Sequence, residues 1–251
     1  MKGNKWNYLG FLFIGLAVLA ALNKYLISGE HAFGASPAVP WGSLIAGYVF
    51  FAAAATGTGL VSSLGHVFRV KKYEILAKRA LLASIVLLLC AFGVLAIELS
   101  SPFKMIWFLF TPNLSSPIFW MGAFYGVYLI LLSIEFYFTL KDKQKAVTPI
   151  AYVSLAIKLA ALLNLGRVFG YIMSREFWYG YYYPVYMVIT AIVSGSAVLI
   201  MLVYLFGLKD DKLAEPSKSL IPHLGKILAG AIAVFAAAQA TKIGLALASS
   251  E

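Results

Sequence analysis

Seven apolar runs, each long enough to cross a bilayer and separated by short polar breaks, constrain this chain more than any other feature. A helix needs about 20 apolar residues to traverse a hydrocarbon core ~30 Å thick. The runs are Tyr8–Ser28, Gly42–Phe68, Ile75–Leu99, Ser116–Leu140, Thr148–Met173, Tyr182–Gly207 and Pro222–Ala248. Tyr8–Ser28 is longer than a signal-peptide core and no small-residue cleavage site follows it, so it counts as a helix. The connections Gly29–Trp41, Ser100–Ser115 and Leu208–Ile221 are too short for a second unit. The expectation is a single transmembrane domain over residues 1–251: all-α integral membrane, a bundle of about seven transmembrane helices.

The charges give the bundle a direction. Only 12% of residues are charged, yet the net charge is +10. With the N-terminus cytoplasmic, fourteen cations fall inside: Lys2, Lys5, Arg69, Lys71, Lys72, Lys78, Arg79, Lys141, Lys143, Lys145, Lys209, Lys212, Lys218 and Lys226. Four fall outside, namely Lys24, Lys104, Arg175 and Lys242. The positive-inside rule therefore predicts a cytoplasmic N-terminus and, after seven crossings, an external C-terminus. Basic turns beside helix ends suit anionic membrane lipid; with no soluble domain to shape a groove, nucleic acid is excluded as a partner.

Much redox chemistry is missing. The one cysteine, Cys90, lies in an apolar run and is expected as a packing residue, so no iron–sulfur cluster can be held by this chain alone. His31 falls outside while His66 and His223 fall inside, so they cannot form the matched pair a membrane haem wants, and no metal site is expected. Nucleotide loops and a nucleophile elbow are also absent.

Charged residues inside spans are costly and are functional candidates by default. Glu98, Glu135, Lys158 and Arg167 are the four to weigh. Arg167 and Asn164 share a face of the fifth span, toward the outer end where Glu98 closes the third. Either a polar pocket or a Glu98–Arg167 pair that only fixes packing fits this spacing. Lys158 falls about 15 Å into its span. Glu135, on the preceding antiparallel helix, is within its snorkelling reach, and such a pair is either structural or a proton relay. Trp41, after Pro40, and the Phe177–Pro184 run form an aromatic belt at the outer side.

Several stretches resemble the NrfD-type (polysulfide reductase) membrane subunits: Pro40–Trp41–Gly42, Glu98–Leu99–Ser100–Ser101–Pro102, Pro112–Trp120, Asn164–Gly170, Arg175–Gly180 and Ser194–Gly195. Their order on consecutive helices covers roughly Trp41–Gly207. The resemblance implies a haem-free quinone site near the outer face of a prokaryotic cytoplasmic membrane. It implies a dissociable quinone or quinol as carrier, and electron exchange with an externally docked multi-cluster iron–sulfur subunit leading to a catalytic or cytochrome subunit. Proton translocation along Glu135 and Lys158 is compatible with it. Glu98 then matches the acidic residue of the family's turn and is the expected proton acceptor. Asn164 and Arg167 are expected headgroup donors, Trp41 and Trp120 pocket walls, with Ser43 beside Trp41. Ser101 stands where the family's turn has arginine, and Asn164 where relatives have His or Tyr, leaving Arg167 to supply the positive charge.

Two rival readings come from other classes. A retinal pigment would use Lys242 in the last helix, but it needs an external N-terminus and an acid where Ala238 stands. A secondary transporter or channel would show an inverted repeat and a pair of broken helices, and neither is visible.

Overall fold

The computed structural model describes residues 5–28, 41–68, 70–99, 107, 110–172, 179–207 and 211–248. Its long elements are all helices: α1 Lys5–Asn23, which runs on into a π-helical turn Lys24–Ser28, α2 Ser43–His66, α3 Lys71–Glu98, α4 Pro117–Leu140, α5 Gln144–Gly170, α6 Tyr182–Gly207 and α7 Asp211–Ala248. Among the described residues six helices are long and apolar enough to cross a membrane. In the first helix the apolar stretch is shorter, Phe11–Ile27. Six of the seven expected runs thus form helices of spanning length, and the first forms a shorter apolar helix that continues through Lys24, whose ammonium turns back to the Ile97 carbonyl.

Helix starts differ from the sequence expectation where polar residues precede the apolar run. α3 and α5 begin at Lys71 and Gln144, ahead of Ile75 and Thr148, since a helix continues into its polar turn. α7 begins at Asp211 and passes through Pro216 and Pro222. Each proline removes one backbone hydrogen bond, a loss that water can make good at a polar helix end.

α2 is the hub. It packs on α3, α5 and α6; α4 packs on α3 and α5, and α7 lies against α6. Ala52 and Ala55 of α2, Leu81 and Leu88 of α3, Leu132 of α4 and Ala161 of α5 fill the core between the four helices α2–α5. The small residues of α2 permit backbone approach where larger ones would not. A Cβ on Gly57 would run into the Ala191 carbonyl of α6, and one on Gly195 into the Gly57–Thr58 peptide. Gly195→Leu should therefore force α6 off α2 and cost about 3 kcal/mol. Thermal unfolding in detergent measures this, and an unchanged midpoint would contradict the close crossing.

Val86, Leu89, Ile130 and Ile134 are exposed. Such a surface suits lipid rather than water. Cys90 is exposed beside Leu89 rather than packed, because the buried stripe of α3 passes through Leu81, Ser84, Leu88 and Ala91 and leaves position 90 on the outer side.

Candidate functional site

At one end of the bundle, the Trp41 end, α2, α4 and α6 begin and α3 and α5 stop; the opposite end is marked by His66. Two cavities flank the last turns of α5 at the Trp41 end. The smaller, about 400 Å³, lies between α2, α5 and α6 and includes Trp41, Phe169, Tyr183 and Tyr186 in its wall. Trp41 meets Phe169 edge-on at 4.9 Å. Its Thr190 and Ser194 hydroxyls donate to the carbonyls of Tyr186 and Thr190 one turn back, both at 2.9 Å, so the wall is essentially apolar.

The larger cavity, about 770 Å³, is lined by Phe124, Asn164, Arg167, Tyr171, Tyr179 and Tyr181 among others. Arg167 donates to the Tyr171 hydroxyl at 2.9 Å and lies 4.6 Å from that ring's centre, which fixes the guanidinium from below. Asn164, 6% exposed, donates from Nδ2 to the Pro117 carbonyl at 2.8 Å and so ties α5 to the start of α4. Each side chain has further hydrogen-bonding groups, the remaining guanidinium N–H donors on Arg167 and an amide oxygen and second N–H on Asn164.

The described ends of the α5–α6 return come together beside the two cavities. The Gly180 N–H donates to the Gly170 carbonyl at 3.0 Å. Gly180 has φ +117°, a conformation that needs glycine, and a Cβ on Gly166 would meet the Tyr183 carbonyl and Pro184. This return places Tyr179 and Tyr181 on the larger cavity and Tyr183 on the smaller.

The site residues expected at this end fall in separate places. Trp41 lines one cavity, and Asn164 and Arg167 the other. Trp120 stacks on Phe124 with ring centres 5.4 Å apart and donates from Nε1 to the Leu114 carbonyl at 2.8 Å. Ser43 is exposed in the first turn of α2, and Glu98 is the last residue of α3; neither is among the residues lining the two cavities. Among the described residues Glu98 and Arg167 form no ion pair, Arg167 being turned to Tyr171 instead. Pro40, Ser101, Pro102, Lys104 and the Arg175–Trp178 segment lie outside the described residues.

A second polar group lies inside the four-helix core. Lys158 is 0% exposed, and its ammonium donates to the Gly59 carbonyl at 3.1 Å and Ser63 Oγ at 3.0 Å. Glu135, 2% exposed, pairs with His66 Nδ1 at 2.9 Å, not with Lys158. Gly59 explains the change of partner: having no side chain, it lets the ammonium reach a backbone carbonyl of α2, and a Cβ there would strike Tyr128 and the Lys158 chain. Glu135 Oε2 and Ser154 Oγ are buried with no hydrogen-bond partner among the described residues. His66 was the residue that sequence reasoning missed here; its signal was a histidine near the same membrane surface as Glu135. Buried Tyr48, Thr56, Tyr125 and Tyr128 lie in the same core nearer the Trp41 end. From Tyr48 to His66, α2 rises about 27 Å, close to the thickness of a hydrocarbon core.

Lys242 lies over the rings of Tyr182 and Tyr183, 4.3 and 4.0 Å from their centres. Among the described residues no group of three metal-ligating side chains is assembled.

The sequence is 27% identical over 239 residues to the Hdr-like menaquinol oxidoreductase integral membrane subunit of Archaeoglobus fulgidus, covering 93% of this chain. It is 22% identical over 255 residues to a subunit of the selenate reductase of Mesobacillus selenatarsenatis, covering 86% of this chain. The matched region spans 59% of the length of each of these relatives. The profile of the family described as Polysulphide reductase, NrfD, matches residues 32–249. With that match running from before α2 to the end of α7, this multi-pass membrane chain belongs to the NrfD polysulphide reductase family.

Proposed function

We propose that the chain is the quinone-reactive membrane subunit of a respiratory oxidoreductase, exchanging electrons with an iron–sulfur subunit docked at the Trp41 end. A catalytic or cytochrome subunit would complete the complex. The observation that carries the reading is the cavity of about 770 Å³ in which Arg167 and Asn164 stand among aromatic walls. A quinone headgroup asks for hydrogen-bonding groups at its oxygens and flat apolar surfaces against its ring, and these residues fit that demand. The name of the archaeal relative, a menaquinol oxidoreductase subunit, points the same way. The excess of lysine and arginine at the His66 end supports an outward-facing Trp41 end.

A bound quinol supplies two electrons and two protons. Arg167 and Asn164 hold and orient its oxygens, Tyr171 steadies the guanidinium, and Phe124 helps exclude water from the ring. Glu98, at the same end but off the cavity wall, is the carboxylate that receives protons leaving the site. Glu135 and Lys158, with His66, form a separate proton path through the four-helix core, supported by the unpartnered oxygen of Glu135.

Binding of a fluorescent hydroxyquinoline quinol analogue to the purified chain tests the headgroup site. Losing a charged hydrogen bond costs about 1.5–3 kcal/mol, so Arg167→Met should weaken binding roughly 10- to 100-fold. Trp41→Ala should change it less than about 3-fold, as expected for a residue outside the headgroup contacts. Unchanged affinity in Arg167→Met with binding lost in Trp41→Ala would move the headgroup to the smaller cavity.

A further inference from the structure

We propose that Lys24 is a positioning residue for Glu98: from the first helix it caps the end of α3 and sets where the Glu98 carboxylate stands. The inference rests on the proton-accepting role given to Glu98 above.

Residues 11–19 of α1 are all exposed, Phe11, Leu12, Phe13 and Ile14 in succession, so side-chain packing of this stretch does not hold the helix to the bundle. Its closing π-helical turn does. Lys24, 4% exposed, donates to the carbonyls of Ile97 and Glu98, both at 2.5 Å. The Tyr25 hydroxyl donates to the Ala96 carbonyl at 2.8 Å and lies 3.2 Å from that of Leu99.

These are the carbonyls that the end of a helix leaves without partners. Away from water each would be costly, and the partial negative charge of a helix C-terminus favours a cation there. One turn of α1 therefore completes α3 from outside its own chain segment. α2 is close as well: a Cβ on Gly47 would lie 3.6 Å from Val94 Cγ1, one turn before Glu98. The last turn of α3 is thus held by α1 on one side and α2 on another, and Lys24 bonds the backbone of Glu98 itself. Removing that bond frees the turn that aims the carboxylate, and it withdraws a positive charge from the C-terminus of α3.

The test uses the native complex in mild detergent with a short-chain quinol as donor, reading reduction of the iron–sulfur clusters. Lys24→Met should lower kcat about 10-fold, the scale of a modest misplacement of a reacting group. Quinol KM should stay within about 2-fold, because Asn164 and Arg167 are untouched. Lys24→Arg, which keeps charge and donors, should restore kcat to within about 2-fold, and Tyr25→Phe, which loosens the latch without removing charge, should fall between them. Should Lys24→Met not assemble, Lys24→Gln takes its place and must turn over more slowly than Lys24→Arg. Wild-type kcat in the uncharged variant while Glu98→Gln is slow overturns the proposal and leaves the function reading standing. Full turnover in Glu98→Gln removes the role of Glu98, and the positioning role of Lys24 with it.

Discussion

Glu98→Gln is expected to lower quinol-linked turnover by roughly 10²-fold while the complex still assembles, because general base catalysis by a placed carboxylate contributes on that order. The glutamine keeps the shape of the side chain and leaves the backbone carbonyl that Lys24 bonds. Stability should hardly move, so the loss falls on chemistry. Since Glu98 is not on the wall of the larger cavity, proton transfer to it passes through an intermediary, and turnover should slow more in heavy water for the wild type than for the variant. Full activity in Glu98→Gln would reduce this residue to the last turn of a helix.

Lys158→Met separates the two roles open to the buried core group. Removing one partner of a buried ion pair is costly, but the Lys158 ammonium bonds the Gly59 carbonyl and Ser63 Oγ rather than a carboxylate, so a methionine of similar length breaks no ion pair. Glu135 keeps His66 at 2.9 Å, so the variant should fold and oxidise quinol near the wild-type rate. Proton movement across reconstituted vesicles during turnover should fall at least about 10-fold, as for loss of a group that itself carries the proton. A variant that unfolds, or that moves protons like the wild type, would show that Lys158 fixes packing instead.

The parts of this fold that could be read in the sequence are those set by local rules. Tyr182–Gly207 is both an apolar run and the helix α6, and the run from Ser116 becomes α4 at Pro117, where proline suits a first turn. The start of α7 could not be read, because Pro216 and Pro222 signal an end that the polar part of that helix tolerates. Asn164 and Arg167 share a cavity as their three-residue spacing implies. That Trp41 lies across α5 from them depends on which neighbour each face of α5 meets, and no spacing along one helix contains that. The partner of Glu135 likewise turns on the register between α2 and α4 and on Gly59, which draws Lys158 to a backbone carbonyl. Lys24 reads as an ordinary external lysine until α3 ends beside it.

In the proposed function this chain becomes a redox protein only through a dissociable quinone and a docked partner. Gentle extraction from native membranes, followed by metal analysis and addition of a short-chain quinol, tests it most directly. An iron–sulfur subunit should co-purify, with clusters that quinol reduces only when this chain is present and less readily when it carries Arg167→Met. A chain that purifies alone with a haem or retinal spectrum, or that moves a solute across vesicles with no partner present, would contradict it.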